Sequence, residues 1–318
     1  MQVVVPTPVP GSIYSDYVLA RVTGLTPNTT YHYRFNATNN EGTGLGTDGT
    51  FTTAALPDVS TSDASYVGSS WARINGNYDT HLATYWVTFE YGTSTAYGFS
   101  VADANFVVWN VGGPNSAHAD LRGIAPSTTY HCRLKLADDY GNFYYGGDTT
   151  FTTLAPVEAW RQNFFDTTDD TGDHADLANP TCDGVSNLLK YALGLDPTSR
   201  VAAPMPYPTT ASDGETYLTF YFSRVSVATD LTYEVQVTGN LAEPWATIAT
   251  SSGGNPFTGS GLVQDISHTD LSSGGGGYFP FDPPPPPSYP GGDFLVIVRD
   301  TVPMSHASAR FMRLRVTH

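Results

Sequence analysis

An internal repeat is the feature that most constrains how this chain can fold. Residues 24–34 read GLTPNTTYHYR and residues 123–133 read GIAPSTTYHCR, so the two copies lie 99 residues apart. Each copy continues through a glycine-containing segment to a Phe-Thr-Thr tripeptide, which begins at Phe51 and at Phe151. A period near 100 residues matches the length of one β-sandwich domain. The repeat therefore predicts tandem sandwiches.

Alternation within each copy predicts a strand with one inward face. The inward positions are Tyr31, Tyr33, Phe35 and Ala37 in the first copy and Tyr130, Cys132, Leu134 and Leu136 in the second. The second copy also has two candidate front strands, at residues 71–76 and 85–91. About 23 residues precede the shared motif in the first copy, against roughly 65 in the second. The early strands of the first copy are therefore missing.

The Leu/Ile-x-Pro-x-x-x-Tyr turn, the glycine-rich hairpin and the closing Phe-Thr-Thr strand resemble the second half of a fibronectin type III domain. The resemblance implies a partial domain at residues 1–55 and a complete domain at residues 56–154. Half a sandwich leaves strand edges and half a core uncovered, and is not stable alone. Either the chain is a fragment of a longer protein, or a partner supplies the missing strands.

The remaining chain predicts an acidic connector at residues 155–202 and a C-terminal β-sandwich at residues 203–318. One short helix is expected over residues 186–193, because its leucines have helical spacing and Gly194 and Pro197 follow as stop signals. An insertion at residues 272–292 is rich in glycine and proline. The strand candidates are 217–222, 231–237, 245–248, 294–299 and 310–316.

Two blocks of this half resemble a module at the C-termini of large secreted proteins from Verrucomicrobia- and Planctomycetes-like bacteria. They are DGVSNLLKYALGLDP, after an upstream Trp-Arg pair, and the closing RFMRLRV, after Val-Arg-Asp. The resemblance implies an extracellular, multidomain, surface-associated protein and no specific activity. The predicted fold class is all-β: tandem immunoglobulin-like, fibronectin type III-like sandwiches, a short helical connector and a C-terminal β-sandwich.

Residues 179–190 look like a calcium loop of the EF-hand or thrombospondin type. Such a loop needs oxygen ligands at positions 1, 3, 5 and 7 and an acid at position 12, because Ca²⁺ takes 6–8 oxygens. Asn179 and Asp183 are the candidate metal ligands, but Lys190 stands where the acid is expected. One interpretation is a weak Ca²⁺ site. The other is a structural loop in which Asp183 accepts hydrogen bonds from helix amides and no cofactor is bound.

Two further residue classes concern modification. Asn28 and Asn36 begin N-glycosylation-type sequons. Cys132 and Cys182 could form one disulfide in an extracellular setting. Since Cys132 occupies an inward strand position, we expect a buried free thiol there and a loop thiol at Cys182.

Charge and motifs exclude several functions. Lys and Arg number 14 against 30 Asp and Glu, which gives a net charge of −16 and disfavours binding to nucleic acid or anionic membranes. No apolar run approaches the ~20 residues of a membrane span, and no leader sequence is apparent. No metal-site histidine pair, nucleophile elbow or phosphate loop occurs. The acidic run 166–176 is expected to be a solvated loop, so we do not expect an enzyme.

The leading hypothesis is an extracellular subunit of a surface filament, fibre or appendage. Its partner would be another copy of itself or a neighbouring domain of a longer chain, joined by strand or surface complementation. The alternative is a carbohydrate-binding or adhesin region of a larger cell-surface protein, with polysaccharide as its ligand. Exposed aromatics would serve that role, and the candidates are Tyr144, Tyr145, Tyr278, Phe279, Phe281 and Tyr289.

Overall fold

A computed structural model describes residues 21–108, 112–267 and 294–318, and over those residues the chain is built from antiparallel sheets with two α-helices. The all-β prediction is confirmed. The chain forms two compact units, one from the described parts of residues 1–66, 72–121 and 129–151, the other from those of 67–71, 122–128 and 152–318. The predicted insertion at 272–292, with its four aromatic residues, lies outside the described residues.

The first repeat forms two small antiparallel sheets. Strand β1 pairs with β4, and β2 forms a hairpin with β3. The bounds are β1 (Thr30–Tyr33), β2 (Asn36–Asn39), β3 (Gly42–Leu45) and β4 (Gly49–Thr52). Tyr31 lies opposite Phe51 in the β1–β4 register, so both rings project from one face.

The second repeat adds the front strands and forms a two-sheet sandwich. Its strands are β5 (Asp58–Ser65), β6 (Trp71–Asp79), β7 (Tyr85–Gly92), β8 (Phe99–Val108), β9 (Asn115–Arg122), β10 (Thr129–Ala137), β11 (Phe143–Tyr145) and β12 (Thr149–Thr152). One sheet has the order β5-β6-β9. The other has the order β11-β10-β7-β8, with β12 also beside β10.

Every second side chain of β7 and β10 points into the core of this sandwich. Cys132, Leu134 and Leu136 on β10 have no exposed surface, and Val87 and Phe89 on β7 are equally buried. The intervening residues of both strands are partly exposed. The inward set predicted for the second copy is therefore confirmed.

The C-terminal strands form two four-stranded sheets, ordered β13-β14-β19-β18 and β17-β16-β15-β20. Their bounds are β13 (Tyr207–Thr210), β14 (Thr216–Arg224), β15 (Thr232–Thr238), β16 (Ala246–Ser252), β17 (Thr258–Gly259), β18 (Leu262–Ser267), β19 (Phe294–Arg299) and β20 (Phe311–Thr317). Both sheets contribute to one apolar core, which includes Phe220, Val235 and Val296.

The connector contains two helices, α1 (Pro156–Phe165) and α2 (Asn187–Leu193), and short 3-10 turns lie at Gly172–His174 and Met304–His306. Helix α2 is the predicted helix. It begins after the N-cap Ser186 and ends at Gly194, whose φ of 69° suits glycine. The prediction of a single helix is wrong, because α1 precedes it. Proline begins α1, and the Ala155 amide donates to Glu158 Oε2 at 2.8 Å.

Both helices are built into the C-terminal core. Val157 of α1 and Tyr191 of α2 belong to the same buried cluster as the sandwich strands. The carboxylate of Asp230 accepts the Val157 amide at 3.0 Å and the Tyr191 hydroxyl at 2.7 Å. Tyr233 on β15 donates its hydroxyl proton to the Ala192 carbonyl at 2.9 Å. The connector is therefore a packed layer of the C-terminal sandwich.

The two cysteines are free and differ in environment. Cys132 is fully buried and Cys182 is exposed. Burial raises the pKa of the Cys132 thiol to about 12. Because the thiolate is the reactive form and Cys132 is buried with a raised pKa, Cys182 is the thiol that a reagent can reach in the folded chain.

We therefore expect a maleimide or Ellman's reagent to modify one thiol per folded chain and two per unfolded chain. Peptide mapping should place the native label on Cys182. The variant Cys182→Ser should take no label until it unfolds. Rapid native labelling of Cys132 would contradict the buried position.

Candidate functional site

The first repeat reproduces the turn chemistry of the second bond for bond. The Thr29 amide donates to Thr53 Oγ1 at 2.9 Å, and the Thr128 amide donates to Thr153 Oγ1 at 2.9 Å. The residue that precedes each threonine has φ of 47°. Local sequence alone therefore dictates this turn, with or without a complete sandwich around it.

The side-chain pairs match as well. Tyr31 stacks on Phe51 with ring centroids 5.8 Å apart, and Tyr130 stacks on Phe151 at 5.6 Å. Tyr31 Oη accepts the Thr26 amide at 2.8 Å, as in the tyrosine corner of immunoglobulin-like domains. On the opposite face of the strand, each repeat has a histidine–aspartate pair. The two pairs are His32–Asp48 at 2.7 Å and His131–Asp148 at 2.8 Å.

Burial is where the two repeats differ. In the complete sandwich the inward positions Cys132 and Leu134 are 0% exposed and Phe151 is 8% exposed. The equivalent side chains of the first repeat are 60%, 55% and 40% exposed, and they are Tyr33, Phe35 and Phe51. The inward set predicted for the first copy thus forms an uncovered aromatic surface. We call Tyr31, Tyr33, Phe35 and Phe51 the open face.

A strand edge next to the open face is also unpaired. In the complete sandwich, residues 131–137 of β10 pair along one edge with β7. The equivalent segment, residues 32–38, runs from the end of β1 into β2 and has no strand on that edge among the described residues. Unpaired backbone N–H and C=O groups beside an apolar face are what an added strand binds. The open face and this edge thus place apolar rings and unpaired backbone groups side by side.

The residues predicted as metal ligands are already occupied by protein contacts. Asn179 Oδ1 accepts the Asp183 amide at 3.2 Å, and Asp183 Oδ1 accepts the Val185 amide at 2.8 Å. Lys190 Nζ lies 2.9 Å from Asp183 Oδ2. The helix cap is Ser186, so Asp183 does not accept from helix amides as one interpretation expected. The described residues contain no cluster of three acidic, histidine or cysteine side chains arranged for a metal.

The acidic run is used to neutralise a buried arginine. Arg161 of α1 is 4% exposed, and its guanidinium lies 3.1 Å from Asp170 and 2.5 Å from Asp176. His318 Nε2 lies 2.7 Å from the second oxygen of Asp176. The expectation of a purely solvated loop is corrected by these contacts.

The sequon residues and the candidate aromatics separate into accessible and packed positions. Asn28 in its turn and Asn36 on β2 are both exposed. Tyr145 is 42% exposed, whereas Tyr144 packs edge-on against the buried Tyr85 at 5.7 Å. Only Tyr145 of this pair is therefore placed to bind a ligand.

The outer face of the five-stranded sheet holds a cation–aromatic ladder that sequence reasoning missed. Arg133 lies between the rings of Tyr97 and Tyr145, at 4.4 and 3.9 Å, and Lys135 lies 4.4 Å from the Phe143 ring. Glu90 pairs with both cations, at 2.6 and 2.8 Å. Alternation does predict which side chains face outward, but not that they stack across strands.

Comparisons with known proteins add little beyond these observations. No family model and no curated protein sequence matches the chain. Among solved structures, the sensor domain of the anti-sigma factor RsgI4 of Pseudobacteroides cellulosolvens is 16% identical over 32% of this chain and 98% of that one, with a TM-score of 0.26. The FN1–FN3 domains of chicken CNTN1 are 18% identical over 43% of this chain and 47% of that one, with a TM-score of 0.23. The β-sandwich assignment therefore rests on the strands and sheets themselves.

Membrane insertion through a helix finds no support in the described residues, where both helices are too short and too polar to span a bilayer.

Equivalent positions of the two repeats give a matched test of the open face. Leu134→Ala should lower the free energy of unfolding of its sandwich by about 2–5 kcal/mol, because it leaves a cavity in a closed core. Phe35→Ala should cost less than about 1 kcal/mol in dilute solution, because water already covers that side chain. Urea titration with region-resolved hydrogen exchange separates the two. Equal losses at both positions would mean that Phe35 is covered.

Proposed function

We propose that this chain is an extracellular structural protein, a subunit of a surface filament, fibre or appendage. In this proposal, the half-sandwich of one subunit is completed by strands or surface from its neighbour. One observation carries the proposal: two repeats with the same turn and the same aromatic stack differ in that one core is closed and the other is open.

Magnitudes favour a contact that combines apolar burial with strand pairing. Full burial of a large apolar side chain is worth about 1.5–3 kcal/mol. Three side chains of the open face would then contribute roughly 5–9 kcal/mol, whereas association costs an estimated 4–15 kcal/mol in lost freedom. The free energy gained by apolar burial is therefore close to the free energy that association costs. Hydrogen bonds along the unpaired edge of residues 32–38 supply the surplus and fix the register.

In this proposal the open face of one subunit contacts a different surface of the next. A contact between two different surfaces is head-to-tail, and it propagates into a filament unless the rotation closes a ring. The similarity of residues 155–318 to modules of secreted proteins supports the extracellular setting. The structural use of Asp170 and Asp176 as counter-ions of Arg161 supports a non-catalytic role.

Charged substitutions on the open face test the proposal. We expect the wild-type chain to assemble as its concentration rises, and Tyr33→Glu and Phe35→Glu to remain dispersed, because a carboxylate would have to be desolvated at the contact. Analytical ultracentrifugation and negative-stain electron microscopy over a concentration series measure this. Tyr140→Glu is the control, since Tyr140 is 83% exposed but lies in the complete sandwich, and it should assemble like the wild type.

A wild-type chain that stays monomeric at all concentrations, with residues 21–55 resistant to proteolysis, would overturn the proposal. So would assembly of the two glutamate variants at the wild-type concentration.

One observation favours a second candidate, a carbohydrate-binding or adhesin region. Phe143 and Tyr145 are 52% and 42% exposed on the outer face, and Lys135 and Arg133 fix their rings in place. Exposed, immobilised aromatic rings stack well on the apolar faces of sugars.

If this second candidate is correct, Tyr145→Ala should abolish weak binding to polysaccharide in affinity electrophoresis, because stacking area is lost. Tyr140→Ala, at an exposed turn, should bind like the wild type. Undiminished binding by Tyr145→Ala, or no binding by the wild type to a broad glycan panel, would reject it.

A further inference from the structure

The loop at residues 179–190 has the backbone form of a cation-binding loop. Two side chains bend the loop by accepting hydrogen bonds from backbone amides. Asn179 accepts from the amide four residues on, and Asp183 accepts from the amide two residues on. Gly184 has φ of 83°, a conformation that glycine adopts without strain. Loops of this form direct several oxygens towards one point.

That point is occupied by the ammonium group of Lys190. Four oxygens surround Nζ, two from side chains and two from backbone carbonyls. They are Thr181 Oγ1 at 2.6 Å, Asp183 Oδ2 at 2.9 Å, the Ser199 carbonyl at 3.1 Å and the Pro197 carbonyl at 3.4 Å. Lys190 is 0% exposed. We call these four oxygens the cage.

A fully buried lysine is rare, because the cost of removing its charge from water must be offset by partners. Here three N–H donors meet a carboxylate, a hydroxyl and two carbonyls, so no proton of the ammonium lacks an acceptor nearby. This donor set is also what a hard metal cation prefers. The single carboxylate of the cage balances the single charge of lysine, whereas Ca²⁺ would leave one positive charge uncompensated.

The cage also shapes the chain around it. Asp183 accepts the Val185 amide at 2.8 Å and the Val201 amide at 3.0 Å. Burial opposes the ionisation of Asp183, but the hydrogen bond from Lys190 and those two amides outweigh it and hold its pKa well below its ordinary value. The charged pair thus joins the loop, the last turn of α2 and the segment that follows it.

We propose that Lys190 is the resident cation of this loop, in place of a metal ion. The connector is consequently independent of calcium, and a calcium requirement can be restored by returning an acid to position 190.

Thermal unfolding of the full chain in EDTA and in CaCl₂ tests whether Lys190 makes the connector independent of calcium. The wild-type midpoint should be the same in both. Lys190→Met should lower the midpoint of the C-terminal unit by about 5–15 °C, because it leaves the Asp183 carboxylate buried without its partner. Faster hydrogen exchange at the Val185 and Val201 amides should accompany the loss. The control is Lys135→Met, since Lys135 is the other lysine of the chain and lies in the other compact unit, so this variant should leave the midpoint of the C-terminal unit at its wild-type value.

Lys190→Glu tests whether an acid at position 190 restores a calcium requirement. In EDTA we expect it to be as weakened as Lys190→Met. With CaCl₂ at 100 times the dissociation constant, its folding equilibrium should rise about 100-fold, and Tb³⁺ should give sensitised luminescence absent from the wild type.

Three results would overturn the proposal: a calcium-dependent midpoint in the wild type, unaltered stability of Lys190→Met relative to Lys135→Met, or a folded Lys190→Glu that does not respond to calcium.

Discussion

An antiparallel sheet with one apolar face needs a second layer to cover that face, and this constraint governs the architecture of the chain. Residues 56–154 meet it with two sheets, which enclose the buried side chains of β7 and β10. The C-terminal part meets it with two four-stranded sheets and two helices. Residues 21–55 satisfy the local hydrogen bonds of the same design but not the second layer. The functional proposal arises from that difference.

Polar anchors, rather than apolar area alone, attach the helices to the C-terminal sandwich. One carboxylate, Asp230, accepts from both helices, and the Tyr233 hydroxyl donates to the carbonyl of Ala192. The anion near α1 lies against its first turn, where the helix dipole favours negative charge. Hydrogen bonds are directional, so these contacts fix the orientation of α1 and α2 on the sandwich. Apolar contacts alone are not directional and would define that orientation less well.

Sequence predicted those features that depend on local pattern. The β10 alternation identified Cys132 and Leu134 as core, and the Gly194 stop signal placed the end of α2. Helix α1 was missed although Val157, Trp160 and Phe164 have helical spacing and Pro156 is a start signal. The segment is short, and its packing contacts come from Tyr191 and Asp230, which are distant in sequence. The missing front strands predicted uncovered strand edges in residues 1–55, but not that residues 32–38 form such an edge. The cage around Lys190 could not be predicted, since it depends on which segments meet in space. The sequence shows that lysine replaces the expected acid at position 190, but it does not show that the ammonium group fills the cage.

The distribution of charge decides where two copies of so acidic a chain can meet. The net charge is −16, and three of the 14 lysine and arginine residues, Arg161, Lys190 and Arg224, are buried in ion pairs. The partner carboxylates Asp176, Asp183 and Asp265 are largely buried as well, so these pairs cancel and the accessible surface stays strongly negative. Most contacts between copies are therefore opposed by repulsion. Residues 21–55 are the exception, because two arginines there balance one glutamate and one aspartate. The uncovered aromatic rings thus lie on a segment of zero formal charge, where apolar contact meets the least electrostatic opposition.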